Sequence, residues 1–373
     1  IDSNEVEAAA KLINHAKKPF ALVGQGVILA QAEKETIDFL EKANMPFGWT
    51  LLGKSVIPAS HPLNMGMLGM HGNYAPNKMT NECDVLVAIG MRFDDRVTSD
   101  VSSYAPNAKV VHLEIDKAEI GKNIKVDAPI LGDVKETLPL LITKVNKANH
   151  SEWIAWAEPF MNIEKEKVID LELHPKYGPI TMGEAINIIS EKTSGEAILV
   201  TDVGQQQMLA MRYFNVNHTR SAITSGGLGT MGFGLPSAIG AKMAAPDREV
   251  ILFVGDGGIQ MTIQELGTIM QSDIGVKIVI LNNGYLGMVR QWQELFHQRR
   301  YSATELRSPN FITVAKAYNI LGAHVEERQE LNAAADQMLN HKGAYLLEIL
   351  VAPEGNVFPM IPGGMSLENI RFE

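Results

Sequence analysis

The sequence predicts an α/β protein built from two doubly wound parallel-sheet domains. Short apolar runs of strand length alternate with helical patterns in an early block and again in a late block, which is typical of a parallel sheet covered by helices. A polar stretch separates the two blocks. The length of 373 residues also agrees with two domains of about 150 residues each.

The first block predicts an α/β domain over residues 1–150. It opens with an amphipathic helix, whose apolar face carries Val6, Ala9, Leu12, Ile13 and Ala16. Four strands are then expected, at Pro19–Val23, Pro46–Trp49, Val85–Ile89 and Val110–Ile115. Ligands of such sheets bind at the carboxyl ends of the strands, so the residues that follow each strand are candidates for function.

Residues 151–178 are mostly polar and are predicted to form a linker, with Trp153 and Trp156 in a helix. A second α/β domain is expected over residues 179–352. Its predicted strands are Ala197–Thr201, Ala222–Thr224, Val250–Val254, Ile278–Leu281 and Tyr345–Leu350. A helix is expected over Gln260–Ser272, and residues 353–373, which are rich in Pro and Gly, form a predicted tail.

Composition argues against several classes of protein. The 33 basic and 43 acidic residues give a net charge of −10, which disfavours a general nucleic-acid binder, because phosphates need a basic surface. No apolar run approaches the roughly 18 residues of a membrane span. Cys83 is the only cysteine, so no intrachain disulfide can form, and a cytoplasmic location is expected. The chain starts at Ile1 without a Met, from which we expect a fragment or a processed chain.

Two polar residues follow neighbouring apolar strands of the second block. Asp256 lies between glycines at the end of one strand, and Asn283 follows the next strand, 27 residues later. One helix and one strand fill this distance, so both side chains can meet at one edge of the sheet. A carboxylate and an amide oxygen together suit a hard divalent cation such as Mg²⁺. The alternative is that Asp256 only caps the helix that begins near Ile259.

A glycine-rich segment contains a possible dinucleotide motif. Residues 227–232 match the pattern G-x-G-x-x-G, which also needs an acidic residue about 20 positions later. Asp247 lies near that distance but in a Pro-Asp-Arg turn, so we do not predict NAD binding. A lone Met such as Met231 is usually a core residue, but the surrounding glycines argue against a packed position.

Two arginines and two aspartates, between Arg92 and Arg96, directly follow a strand of the first block. From the residues alone, a solvated cluster of salt bridges is the favoured interpretation. Paired carboxylates can also indicate glycoside hydrolysis, but that reaction needs the two groups about 5 to 9 Å apart across a bond, and adjacent residues usually diverge.

Together these motifs resemble the catalytic subunits of acetohydroxyacid synthase (acetolactate synthase), a thiamine-diphosphate-dependent family. The resemblance covers essentially the whole chain. It is carried by Gly255-Asp256-Gly257 with Asn282-Asn283, Ser225–Ala238, Gly204-Gln205-Gln206-Gln207, Arg92-Phe93-Asp94-Asp95-Arg96 and Gln291-Trp292-Gln293. The Arg-Phe-Asp-Asp-Arg run points to the FAD-containing, biosynthetic branch of the family.

The resemblance implies three cofactors, which are thiamine diphosphate, Mg²⁺ and FAD. The implied metal ligands are Asp256, Asn283 and the carbonyl of Tyr285. The implied contacts of thiamine diphosphate are Gly204, Gln205, Gly229, Met231, Gly255 and Gly257. The implied contacts of FAD are Thr50, Leu51, Gly90, Arg92, Asp94, Arg96, Val97, Glu114, Ile115 and Asp133. Gln206 stands where the family commonly has His, so this position can donate a hydrogen bond to phosphate but carries no charge.

The implied activity is decarboxylation of pyruvate and condensation of the two-carbon unit with pyruvate or 2-ketobutyrate. Met288, Trp292 and Arg96 would shape the substrate pocket. The implied partners are a second copy, as a homodimer or homotetramer, and a small regulatory subunit. The family's first domain, which supplies a catalytic Glu, has no counterpart before Ile1, so we expect an inactive fragment and predict no catalytic residue in it.

The alternatives are a related FAD and thiamine diphosphate enzyme or a cofactor-binding module without activity. Pyruvate oxidase and glyoxylate carboligase share the fold and the cofactors. The Arg-Phe-Asp-Asp-Arg run together with Gln-Trp-Gln favours the synthase over both.

Overall fold

The computed structural model describes residues 1–373, and these residues form two compact units. The first unit contains residues 1–168 and 358–373, and the second contains residues 169–357. Each unit has one parallel sheet with helices, which confirms the predicted α/β class. These units divide the chain after residues 168 and 357, whereas the sequence predicts boundaries after residues 150, 178 and 352. The assignment of residues 1–150 and 179–352 as domains stays a prediction.

The first unit has a six-stranded, all-parallel sheet. Its strands are Pro19–Val23 (β1), Phe47–Trp49 (β2), Asn64–Met67 (β3), Val85–Ile89 (β4), Lys109–Glu114 (β5) and Ala128–Leu131 (β6). The strand order is β3-β2-β1-β4-β5-β6, so the order switches between β1 and β4, where doubly wound sheets bind their ligands. The four predicted strands are confirmed to within one residue at each end.

The sequence does not predict β3 and β6, which are the two edge strands of this sheet. β3 reads Asn-Met-Gly-Met and β6 contains Pro129, so neither forms a continuous apolar run. An edge strand has a partner on one side only, and it tolerates Gly and Pro better than a central strand does.

Eight helices alternate with these strands or follow them. They are Ser3–His15 (α1), Gln25–Leu29 (α2), Glu33–Ala43 (α3), Tyr74–Glu82 (α4), Asp95–Thr98 (α5), Val134–Lys144 (α6), Ser151–Ala155 (α7) and Glu158–Glu164 (α8). α1 begins after Asp2, whose carboxylate accepts a hydrogen bond from the Asn4 N–H at 2.8 Å. Its buried face carries Val6, Ala9, Ala10 and Ile13. Leu12 and Ala16 of the predicted apolar face are only half-buried.

The first part of the predicted linker is folded into the first unit, as α7 and α8. Trp153 is buried there, and its Nε1 donates to the Pro19 carbonyl at 2.9 Å. The last residues of the chain also belong to this unit, since Ile361 and Leu367 are buried in the same hydrophobic core as Trp153. The predicted helix is confirmed for Trp153, whereas Trp156 lies just after the end of α7. The sequence analysis does not assign either segment to the first unit, because the core residues that they contact are far away in the chain.

The second unit also has a six-stranded, all-parallel sheet. Its strands are Ile198–Thr201 (β7), Ala222–Thr224 (β8), Val250–Gly255 (β9), Lys277–Asn282 (β10), Leu321–Val325 (β11) and Tyr345–Leu350 (β12). The strand order is β11-β12-β10-β9-β7-β8. The five predicted strands are confirmed to within one residue at each end. The sequence misses β11, an edge strand in which only Val325 is buried.

Nine helices complete the second unit. They are Asp170–Leu173 (α9), Met182–Thr193 (α10), Gln205–Tyr213 (α11), Gly234–Ala244 (α12), Asp256–Met261 (α13), Leu266–Ser272 (α14), Gly287–Phe296 (α15), Phe311–Ala317 (α16) and Arg328–Asn340 (α17). Across residues 1–373, no helix combines the length and the apolar character that a membrane crossing requires.

The prediction of one helix over Gln260–Ser272 is wrong. α13 ends at Met261, a 3₁₀ turn covers Ile263–Glu265, and α14 follows. Thr262 causes the break, because its φ is −133° and its hydroxyl donates to the Gly232 carbonyl at 3.0 Å. Such a contact of a Thr side chain with a distant backbone group competes with helical hydrogen bonding.

Candidate functional site

The carboxyl ends of β9 and β10 bring the predicted metal residues to one edge of the second sheet. The two strands are parallel neighbours, and Gly255 lies opposite Leu281. Asp256 and Asn283 therefore follow the ends of adjacent strands, as their spacing of 27 residues predicts.

Asp256 is a buried carboxylate with one unused oxygen. It is 1% exposed, and burial raises the pKa of its carboxyl to about 6. Its Oδ2 accepts a hydrogen bond from the Ser308 hydroxyl at 3.1 Å, whereas its buried Oδ1 has no hydrogen-bond partner. The N-cap of α13 is Gly255, so Asp256 is the first residue of this helix and not its N-cap. A buried, unsatisfied carboxylate oxygen is costly, and a cation at Oδ1 would remove that cost.

Further ligands for such a cation would come from amide and backbone oxygens. In residues 1–373, no three His, Cys, Asp or Glu side chains gather into a group that could hold a metal ion. Asn283 is buried after the end of the strand next to β9, and its Oδ1 accepts from the Tyr285 N–H at 3.1 Å. An amide oxygen has two lone pairs, so Oδ1 keeps one for a metal ion.

The turn that carries Asn283 and Tyr285 is held by a second segment of the same unit. The Leu286 N–H donates to the Thr304 carbonyl at 2.8 Å, and the Leu306 N–H donates to the Gly284 carbonyl at 2.8 Å. These two hydrogen bonds fix the turn from one side.

The segment after β7 lies beside the same loop. Gly204 has a φ of 147°, and an added Cβ would lie 2.4 Å from Gln206 Oε1, so this position requires glycine. Gln206 is buried, and its Nε2 donates to the Val203 carbonyl at 3.1 Å. A Cβ added to Gly255 would lie 3.5 Å from Gln206 Oε1, which places this side chain next to the loop of Asp256.

Both N–H donors of the Gln205 side chain are used by contacts within the protein. Its Oε1 accepts from Asn283 Nδ2 at 3.3 Å. Its Nε2 donates to Gln291 Oε1 at 2.9 Å and to the Gly355 carbonyl at 2.8 Å. A phosphate at this position would therefore meet the backbone N–H groups at the start of α11 rather than the Gln205 amide.

The glycine-rich segment forms an open loop between β8 and α12. Gly229 has a φ of 63°, and neither it nor Gly227 has an atom within 4 Å of the position of an added Cβ. Met231 is half-buried, and its Cε lies 4.0 Å from the Cβ position of Gly257. The structure thus brings Met231 to the loop of Asp256, where it is half-buried and is not a fully buried core methionine.

α15 carries the predicted pocket residues Met288 and Trp292, and both are half-buried. Between them lie Arg290 and Gln291, which are 0% exposed and which the sequence analysis does not predict as site residues. Arg290 forms an ion pair with Glu294 at 2.5 Å. A buried guanidinium needs such a partner, because an uncompensated buried charge strongly destabilises a fold.

Arg290 and Gln291 fix α15 to the segment Gly355-Asn356-Val357, which we call the α15 clasp. The Arg290 guanidinium donates to the Gly355 carbonyl at 2.9 Å and to Asn356 Oδ1 at 2.6 Å. Gln291 Nε2 donates to the Val357 carbonyl at 3.2 Å, and Gln291 Oε1 accepts from the Val357 N–H at 2.9 Å. The orientation of α15 is therefore set by contacts of its buried face.

In the first unit, the carboxyl ends of β1 and β4 meet at the switch point of the sheet. The Gly26 N–H donates to the Gly90 carbonyl at 2.8 Å, and a Cβ added to Gly26 would lie 2.7 Å from Gly90 Cα. A Cβ added to Gly24 would lie 2.3 Å from Met91 Cβ. The sequence analysis selects Gly90 but misses Gly24 and Gly26, although a Gly-x-Gly directly after a first strand is a signal for them.

The charged run after β4 is exposed. Arg92 pairs with Asp94 at 3.3 Å, and Arg96 pairs with Asp95 at 3.4 Å, so the salt-bridge interpretation is confirmed. Asp94 also caps α5 by accepting from the N–H groups of Arg96 and Val97, and Val97 is buried. The Arg92 and Arg96 side chains remain 57% and 69% exposed, so their remaining donors are accessible to an anionic ligand.

The other predicted flavin residues follow the neighbouring strands. Thr50 and Leu51 come directly after β2. Glu114 ends β5, and its Oε1 accepts from the Ile115 N–H at 2.8 Å, while the Ile115 side chain is 68% exposed. Asp133 follows β6 and caps α6. The predicted flavin residues thus gather along the carboxyl edge of one sheet.

Two family models match the chain. Residues 6–141 match the central domain of thiamine pyrophosphate enzymes, and residues 202–349 match their C-terminal TPP binding domain. The first match lies in the first unit and the second match in the second unit.

The chain is also similar to acetolactate synthase large subunits. It is 42% identical over 379 residues to a probable large subunit from Methanococcus aeolicus, a match that covers 98% of this chain and 63% of the relative. The isozyme 2 large subunit from Escherichia coli K12 is 40% identical over 366 residues, with 97% and 65% covered. The large subunit from Lactococcus lactis subsp. lactis is 43% identical over 354 residues, with 94% and 60% covered.

This chain therefore spans less than two thirds of the length of these relatives. The match to the C-terminal TPP binding domain begins directly after β7 and includes β9 and β10, the two strands that Asp256 and Asn283 follow. The family match and the candidate metal site therefore lie in the same domain. The chain belongs to the thiamine pyrophosphate enzyme family, of which it carries the central domain and the C-terminal domain that binds thiamine pyrophosphate.

Proposed function

We propose that the natural protein with this chain is the catalytic subunit of an acetolactate synthase. It would decarboxylate pyruvate and condense the two-carbon unit with pyruvate or 2-ketobutyrate, the first common step of branched-chain amino-acid biosynthesis. The observation that carries the proposal is the buried, unpartnered Asp256 Oδ1 beside Asn283, in a chain 40% identical to an acetolactate synthase large subunit.

Mg²⁺ is proposed to bind Asp256, Asn283 Oδ1 and the Tyr285 carbonyl. The set of one carboxylate, one amide oxygen and one backbone oxygen suits this ion, which keeps phosphate and water in the rest of its shell. Before a cation binds, burial disfavours the ionised Asp256, so a bound cation would stabilise the carboxylate.

The segment from Gly204 to Gln205 is proposed to bind the diphosphate through backbone N–H groups. When bound, thiamine diphosphate supplies the carbon at which pyruvate is decarboxylated. Met231 would contact its rings, and the Gly229 carbonyl would accept from its pyrimidine amino group. Gly255 and Gly257 are proposed to bring the backbone of the Asp256 loop close to the diphosphate. An added Cβ at Gly257 would lie 2.9 Å from Leu286 Cδ2 and 3.0 Å from Leu306 Cδ1, so this position favours glycine.

FAD is proposed to bind at the carboxyl edge of the first sheet. Two exposed guanidinium groups, Arg92 and Arg96, supply cationic donors, and the exposed Ile115 supplies an apolar surface. This donor set fits an anionic ligand with an aromatic ring system. The Gly-x-Gly after β1 adds the close backbone packing that is found at dinucleotide sites.

Met288 and Trp292 are proposed to shape the pocket for the second ketoacid, and Arg96 is proposed as a further substrate contact. A homodimer or homotetramer and a small regulatory subunit are the proposed partners. The names of the relatives support a small regulatory subunit as partner, because these relatives are called large subunits.

The direct test is acetolactate formation by the natural protein with pyruvate, Mg²⁺, thiamine diphosphate and FAD. We expect acetolactate, and a mixed product when 2-ketobutyrate is added. Oxygen-dependent formation of acetyl phosphate would instead identify a pyruvate oxidase, and condensation of glyoxylate would identify a glyoxylate carboligase. Either result without acetolactate would overturn the proposal.

A further inference from the structure

Asp202 is a buried carboxylate that the proposed reaction does not use. It follows β7 directly and is 0% exposed. Its Oδ1 accepts hydrogen bonds from the N–H groups of Val203 at 2.8 Å and Gly232 at 3.1 Å, and its Oδ2 accepts from the Gly234 N–H at 2.7 Å. All three donors are backbone N–H groups, so the carboxylate fixes the backbone positions of these residues and does not orient another side chain.

Two glycines permit this position. A Cβ added to Gly258 would lie 2.7 Å from Asp202 Oδ1, and a Cβ added to Gly234 would lie 2.9 Å from Asp202 Cβ. Gly258 belongs to α13, which begins with Asp256. The Asp202 carboxylate therefore packs directly against the backbone of the proposed metal loop.

Three separate segments meet at this side chain. The Val203 N–H precedes Gly204, the Gly232 N–H follows Met231, and Gly258 follows Asp256 by two residues. We propose that Asp202 is a positioning residue of the thiamine diphosphate site, a role that rests on the proposed function. Its carboxylate holds the three cofactor-binding segments in one relative arrangement without touching the cofactor.

The chemistry of the carboxylate is essential to this role. Hydrogen bonds from N–H groups to an ionised acceptor are about twice as strong as neutral ones. An Asn at this position has the same shape but only one acceptor oxygen, so at least one of the three N–H groups would face an NH₂ donor. The segment that loses its acceptor would move, and the affinity for the cofactor would fall.

The test is calorimetric titration of the natural protein with thiamine diphosphate at saturating Mg²⁺. For Asp202→Asn we expect the dissociation constant to rise at least about tenfold, the effect of losing one bond to a charged group. Bound flavin, which the first unit is proposed to hold, should stay at the wild-type level. Gly258→Ala keeps Asp202 but displaces its carboxylate, and we expect a weaker loss in the same direction. This second variant decides the question if Asp202→Asn does not fold.

Gly240→Ala is the matched control for Gly258→Ala, because Gly240 is a helical glycine of the same unit with open space at its Cβ position. Asp84→Asn is the control for Asp202→Asn, because the Asp84 carboxylate accepts from the Lys17 and Lys18 N–H groups in the first unit. Wild-type cofactor affinity in both Asp202→Asn and Gly258→Ala would overturn the inference and leave the proposed function intact. Equal loss of flavin and thiamine diphosphate would indicate a general folding defect and also overturn it. A wild type that binds no thiamine diphosphate would overturn the proposed function itself.

Discussion

Gln205 and Gln291 are joined by a buried hydrogen bond, in which Gln205 Nε2 donates to Gln291 Oε1 at 2.9 Å. Gln205 begins α11, and Gln291 lies in α15 next to Trp292. The segment proposed for the diphosphate and the helix proposed for the second ketoacid are thus directly coupled. The α15 clasp strengthens this coupling, because Gly355 accepts from Gln205 as well as from Arg290.

Gln291→Leu should destabilise the second unit. It leaves the Val357 N–H and one Gln205 N–H without their acceptor, and each buried unsatisfied donor costs about 1 to 3 kcal/mol. We expect the free energy of unfolding to fall by about 2 to 6 kcal/mol in urea titrations. Gln329→Leu, at an exposed position of α17, is the control and should change it by less than about 0.5 kcal/mol. Equal effects of the two variants would show that the coupling contributes nothing.

Asp256→Ala should abolish acetolactate formation and weaken thiamine diphosphate binding. It removes the anionic ligand of the proposed Mg²⁺, so the affinity should fall more than about tenfold, or about 1.4 kcal/mol. Titration with the cofactor at fixed Mg²⁺ measures this. Asp247→Ala changes an exposed Asp of the same unit and should bind as the wild type does. An unchanged titration curve for Asp256→Ala would remove this residue from the metal site.

Arg92→Ala should release flavin. The natural protein is expected to purify with a yellow colour, and the variant should keep less FAD after gel filtration, because one cationic donor of the proposed site is lost. Lys147→Ala, which removes an exposed cation from the same unit, should retain its flavin. A colourless wild type with full activity would contradict the assignment of FAD.

Trp292→Leu should reduce the preference for 2-ketobutyrate over pyruvate as the acceptor. The extra methylene of 2-ketobutyrate is worth about 1 to 3 kcal/mol in a fitted apolar pocket, and the smaller side chain would open that pocket. Product ratios from mixed ketoacids measure the effect. If the ratio stays the same, Trp292 lies outside the pocket. Its ring packs against the Phe296 ring, with 4.8 Å between the ring centroids, and that contact would then serve only to stabilise α15.

Glu172→Gln should stabilise the protein at pH 8 but not at pH 4.5. Burial raises the pKa of Glu172 to about 7 from an ordinary 4.5, so the folded state binds the proton more tightly than the unfolded state does. Stability of the wild type therefore falls as pH rises between these two values, by roughly 3 kcal/mol in total. Gln can still accept from the Gly183 N–H, as Glu172 does at 2.7 Å. Thermal unfolding at both pH values checks this, and a gain of equal size at pH 4.5 would refute it.

The sequence predicts the central strands and the metal pair because both depend on local pattern. β9 and β10 are continuous apolar runs, and the spacing of Asp256 and Asn283 is enough to place them after neighbouring strands. It cannot predict Ser308, which donates to Asp256 across 52 residues, because a lone Ser in a loop carries no periodic signal. Asp202 is missed for the same reason, since its donors Gly232 and Gly234 lie about 30 residues away.

The return of the chain to the first unit after Val357 has a consequence for biosynthesis. Ile361 and Leu367 complete the core of the first unit, yet the ribosome makes them only after every residue of the second unit. Domains generally fold in the order in which they emerge, but here the first unit must wait for its last segment with part of its apolar surface uncovered. A chain that stopped before Ile361 would therefore lack part of the core of the first unit, although all six strands of that unit would already have been made.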